Sequence, residues 1–214
     1  MGSRVLRHVE GVLRGNGLLA PILAAVWGGA AYGAVMGGFG GLTGERVAQV
    51  LYSAAKVPIL FAATTALALP SFYVLNALAG LRADFPAALR AVIGSQGAVG
   101  VVLASLAPYT AVWYASTADY AEAIVFNGLM FAVASWAAQW ALRRRYAHLI
   151  ARNPRHRAIM RTWLFIYAFV GIQMGWVLRP FVGAPGARPT FFREGAWGNA
   201  YVIVAETLWK AVGG

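Results

Sequence analysis

Residues 123–145 read AIVFNGLMFAVASWAAQWALRRR, and the fold is decided on this stretch. Residues 123–142 carry no formal charge, and Arg143, Arg144 and Arg145 follow at once. A helix of about 20 residues rises roughly 30 Å, the thickness of a bilayer's hydrocarbon. Trp136 and Trp140 lie near its end, where amphipathic rings settle at headgroup depth, and arginines beyond such rings mark the cytoplasmic face.

Working outward, four further apolar stretches cover residues 18–40, 57–80, 91–114 and 162–182. Together they predict an all-α polytopic bundle of five spans, a single integral membrane domain over residues 1–214. A chain that is 60% hydrophobic and only 12% charged fits that class and not a soluble one. The first stretch is too long for the hydrophobic part of a signal peptide, about 7–15 residues.

The charge follows the spans. Arg4, Arg7 and Arg14 precede the first; Arg82 and Arg90 separate the second and third; Arg143, Arg144, Arg145, Arg152, Arg155, Arg157 and Arg161 separate the fourth and fifth. The other connecting segments are nearly neutral, with Arg46 and Lys56 the exceptions. Cytoplasmic loops hold the excess of lysine and arginine, so the amino end is expected inside and the carboxyl end outside. Richness in Ala, Gly and Arg suggests a bacterial inner membrane. The net charge of +11 therefore reflects topology rather than one basic surface. The arginines of 143–161 are candidate contacts for anionic lipid or an acidic partner protein. Nucleic acid is not expected, because Tyr146 is the lone ring there that a base could stack on.

Within the spans as drawn there is no Asp, Glu, His, Lys or Cys. Haem needs facing ligands and a zinc site needs Cys or His, whereas His8, His148 and His156 all fall in connecting segments. Ser95, between glycines, has no membrane histidine to serve as its base. No cofactor and no catalysis are expected. Gly29, Gly33, Gly37 and Gly41 recur every four residues and offer a smooth stripe for close helix packing, in the chain's own bundle or against a second copy. Asn76, Gln96, Asn127 and Gln173 are the candidate lining of any polar path. Arg179 is expected to snorkel to the outer headgroups, or else to face the bundle and hold an anion.

Three local features complete the expectation. Residues 43–56 read as a short amphipathic helix on the outer surface, with Val47, Val50, Leu51 and Ala54 on one face. Pro70 and Pro108 interrupt the second and third spans, and Thr64, Thr65, Ser71 and Ser105 are placed to satisfy the carbonyls they free. Residues 200–212 are too short to cross and read as an outer interfacial helix or a re-entrant one.

The segment 56–80, with KVPILF at 56–61 and LPSFYVLNALAG at 69–80, resembles uncharacterised multi-span bacterial inner-membrane proteins. WVLRPFVG at 176–183, followed by Phe191-Phe192-Arg193, shares that likeness. The five-span layout is also similar to the Yip1 family, whose members act in membrane trafficking and organisation, although the acidic-aromatic-Gly-Pro run of that family is missing here. The resemblance implies architecture. The expected function is a non-catalytic membrane subunit or scaffold that binds lipid, other membrane proteins or itself; a small channel or transporter is the alternative.

Overall fold

The computed structural model describes residues 17–193 and 196–202. It is all-helical among these residues, with α1 (Leu19–Gly37), α2 (Arg46–Leu78), α3 (Phe85–Ser116), α4 (Tyr120–Arg152) and α5 (Arg155–Val177). All five helices are long and apolar enough to cross a membrane, so the chain is a multi-pass membrane protein. In lipid a spanning segment must satisfy its backbone internally, which is why every apolar run becomes a helix.

Alternate helices run in opposite directions, giving the bundle two ends. The elbow end carries residues 79–84 and the α4–α5 turn. The far end carries residues 38–45, 117–119 and the long segment after α5.

Local chemistry sets the turns. Gly80, at φ +74°, closes α2 as its N–H reaches Ala77 O, while Leu81 N reaches Asn76 O at 2.8 Å. That pairing is a Schellman stop, which needs a left-handed residue and so favours glycine. Asp119 Oδ1 starts α4 by accepting from Ala121 N at 2.7 Å and Glu122 N at 3.1 Å. Asn153 Oδ1 accepts from Arg155 N, and Pro154 precedes the first turn of α5.

Packing follows an unusual order. α1, the first of the described helices, lies between α2 and α3; α4 packs on α3 and α5 packs on α2. α2 scarcely touches α3, and α4 barely meets α5. The glycines explain the central place of α1. A Cβ on Gly28 would lie 2.1 Å from Gly100 O, and one on Gly33 would lie 2.2 Å from Ser53 O. Gly37 abuts Gln49 O, and Gly29 meets Val57 and Phe61. Gly29, Gly33 and Gly37 are thus consumed inside the bundle, where van der Waals contact does the holding. Gly41 is not part of that stripe: it stands in the loop at φ +118° with open space around it.

Two apolar clusters form the core. Tyr32, Met36, Phe39, Leu103 and Ala123 belong to the cluster toward the far end, and Phe72, Val92, Leu142, Leu149 and Trp163 to that toward the elbow.

Several expectations are corrected here. Residues 46–56 are no separate surface helix, because α2 runs unbroken from Arg46 to Leu78 through Pro58 and Pro70. The charged residue Lys56 is consequently inside the bundle. The hydroxyls near the prolines do not take the freed carbonyls: Thr64 Oγ1 and Thr65 Oγ1 have no partner, and Ser105 donates to Val101 O. α4 runs past the span boundary at 142, as a helix expected to continue through Ile150 should, and ends at Arg152 with the arginine run on its last turns. α5 begins at Arg155 and ends at Val177, so Arg179 lies beyond it. Of the helix expected over 200–212, residues 200–202 are helical; the positions past 202, like Arg4, Arg7 and Arg14, lie outside the described residues.

Candidate functional site

Where α4 and α5 fail to close, a cavity of about 420 Å³ opens between α2, α3, α4 and α5. Phe61, Val99, Phe131, Trp163 and Leu164 give it an apolar wall, and Ser135, Gln139 and Ala168 stand exposed on its rim. One polar pair crosses it, as Tyr167 OH donates to Gln96 Oε1 at 3.0 Å. Thr64 adds an unpartnered hydroxyl to the wall. The size is that of ordinary small-molecule sites, about 300–1,000 Å³, and the composition is mostly apolar with few polar groups, as such sites require.

The four residues named for a polar path are not brought together. Asn76 Nδ2 turns back to Phe72 O at 2.8 Å. Gln96 is in the cavity. Asn127 sits toward the far end, where its Oδ1 accepts from Tyr32 OH at 2.9 Å and its Nδ2 donates to Tyr114 OH. Gln173 clasps the segment after α5, donating to Gly198 O and accepting from Ala200 N. They stand at different depths; Asn127 and Gln173 are clamps whose bonds occupy the amides, while Asn76 Oδ1 is buried without a partner.

At the far end lies a site that the sequence reading missed. Lys56 is fully buried, and its Nζ donates to Pro180 O at 2.7 Å and Thr190 O at 3.3 Å, 5.1 Å from the centre of the Phe191 ring. Gln49 Nε2 reaches Pro180 O and Phe181 O, and Ser53 Oγ donates to Phe181 O. Three polar side chains of α2 therefore pin the strap formed by residues 178–193 through its carbonyls. A buried ammonium is tolerable only when oxygens replace its water, and here carbonyls do so. The signal available in the sequence was the charge at Lys56, one residue outside the predicted span.

Arg179 and Arg193 converge on one indole. Their Cζ atoms lie 3.4 Å and 4.4 Å from the Trp176 ring centre. Arg179 is half-buried rather than extended to solvent, unlike the snorkelling expected of it. Burial first, and the neighbouring Arg193 charge second, hold the Arg179 guanidinium below its ordinary range.

At the elbow the arginines divide. Arg143, Arg157 and Arg161 are exposed, Arg144 lies 4.0 Å over the Trp140 ring, and Arg145 packs against Gly94. Arg155 Nη1 donates to Ala79 O at 3.4 Å, and Arg152 pairs with Asp84 at 3.5 Å. Asp84 also meets the fully buried His156 through Nε2 at 3.1 Å, while His156 Nδ1 has no partner. Asp84→Ala is expected to leave the buried imidazole with neither nitrogen bonded and to cost about 1–3 kcal/mol. Thermal unfolding in detergent checks this; a variant as stable as the parent would remove Asp84 from the fold's support. No cluster of His, Asp or Glu suited to a metal occurs among the described residues.

Compared with known proteins, the chain matches no family model, no curated protein and no solved structure.

Proposed function

We propose that the chain is a non-catalytic membrane protein that holds an apolar, lipid-like molecule in the cavity between α2, α3, α4 and α5. The observation that carries this reading is the position of that cavity. It lies along the spans, and its mouth is the seam where α4 barely meets α5. A mouth on that seam faces hydrocarbon, so an acyl or isoprenoid tail enters without crossing water. The Gln96–Tyr167 pair gives one fixed polar contact for an ester, hydroxyl or carbonyl near the tail. With the arginine-rich elbow in the cytoplasm, as the charge bias favours, the far end faces outward. In a bacterial inner membrane such a protein serves as a lipid-binding subunit or scaffold.

A conducting path is the weaker reading, since Asn76, Asn127 and Gln173 stand at separate depths and the amides of Asn127 and Gln173 are already bonded. Filling the cavity is the test. Ala168→Trp is expected to reduce lipid retained through purification in neutral detergent, read by native mass spectrometry, by about tenfold, the order of one lost apolar contact of 1.4 kcal/mol. Equal retention by the variant would refute the reading.

A further inference from the structure

At the far end, three side chains offer hydrogen-bond donors and no acceptor answers them. Arg179 Nε and Nη2, Arg193 Nε and Nη2, and Trp176 Nε1 are all buried without a partner. Both guanidiniums stack on the one indole, so two like charges are held at a single ring. Arg46 reaches the same strap at another point: its Nη1 would stand 3.1 Å from a Cβ on Gly183. Two of the described acids of this end are engaged elsewhere. Asp119 caps α4, and Glu122 accepts from Thr117 Oγ1 at 2.7 Å. Among the described residues, every ion pair in the structure involves Asp84, at the opposite end of the bundle.

A pair of half-buried guanidiniums with no counter-charge among the described residues is costly unless an anion completes it. Their planar forks match the oxygens of a tetrahedral oxyanion, and each such bond is charge-assisted. Depth agrees with the chemistry. Trp176 lies in the last turn of α5 and Arg179 two residues beyond its end, the level at which lipid phosphates lie. The strap holding Arg193 is anchored from below by Lys56, so the second guanidinium is presented rather than free to wander.

We propose that Arg179, Arg193 and Trp176 form a phosphate-binding site, taking the phosphate of a lipid headgroup or free phosphate. This site rests on its own observation and stands whether or not the cavity holds a tail.

The test uses the full chain in neutral detergent, with phosphatidylglycerol, diacylglycerol of the same tails, and inorganic phosphate as probes. Native mass spectrometry is expected to show one phosphatidylglycerol bound per chain. Arg193→Gln is expected to weaken it about tenfold or more, the loss of a charge-assisted bond. Arg193→Lys, which keeps the charge and loses the fork, should fall between. Arg90→Gln, at the elbow end, should bind as the parent does. If inorganic phosphate at millimolar concentration raises the melting temperature of the parent and not of Arg193→Gln, free phosphate is a ligand. A response to phosphatidylglycerol alone identifies the headgroup as the source. Diacylglycerol reads only the cavity, so its retention or loss bears on the tail and not on the arginines. Unchanged phosphatidylglycerol binding by a folded Arg193→Gln, or no response to either phosphate probe, would overturn the proposal.

Discussion

Gly100→Leu is expected to prevent the bundle from assembling as a single well-behaved species. A Cβ there would stand 2.2 Å from Ala24 O and 2.6 Å from Ala25 Cα. Both obstacles are backbone, which no rotamer change can move, so α1 and α3 must separate. Overpacking a core costs about 1–3 kcal/mol where side chains can shift, and this site exceeds that range. Gly28→Leu should behave alike, since it presses on Gly100 O from the other helix. Gly128→Ala is the contrast: nothing lies within 4 Å of its Cβ, so stability should hold or rise by up to about 1 kcal/mol through better helix propensity. Size-exclusion chromatography and unfolding of the three variants check the order. A Gly100→Leu protein as monodisperse and stable as Gly128→Ala would show that α1 does not dock as described.

Lys56→Met should cost of the order of 3 kcal/mol, because it leaves Thr190 O with no donor and Pro180 O with only the longer Gln49 bond. The effect is also local. With its anchor gone, the strap over 178–193 should open, exposing Phe191 and Phe192 to chymotrypsin at about ten times the parental rate. Measuring cleavage beside global unfolding separates a loosened strap from a collapsed bundle. Parental cleavage and parental stability together would mean that the buried ammonium holds nothing. Because the strap presents Arg193, the same substitution should weaken phosphate binding without touching any phosphate ligand.

The architecture was legible because the lipid environment reduces the problem to run length and charge. All five runs were placed correctly in kind, and polar residues continue a helix past the hydrocarbon, as Arg143, Arg144 and Arg145 do on α4. The second was cut too short. Arg46, Gln49, Ser53 and Lys56 share a polar face, and in isolation that face signals a helix lying on the surface. In the folded chain its oxygen partners come from Pro180, Phe181 and Thr190, well over a hundred residues away. No local pattern foretells such a pairing. For the same reason Arg179 read as a lone charge near a helix end, since its neighbour on the indole, Arg193, belongs to an irregular loop. Asn127 read as a path residue, although two tyrosines from α1 and α3 claim its amide.

The order of packing bears on how the chain is made. Ribosomal synthesis delivers α1 before α2 and α3, yet the groove that receives it has walls from those two, which hardly meet without it. Of these three segments, the one made first must therefore linger in the bilayer until Gly100 has emerged, and only then wedge between its two successors. Truncated chains ending before α3 should accordingly be the ones that quality-control proteases recognise.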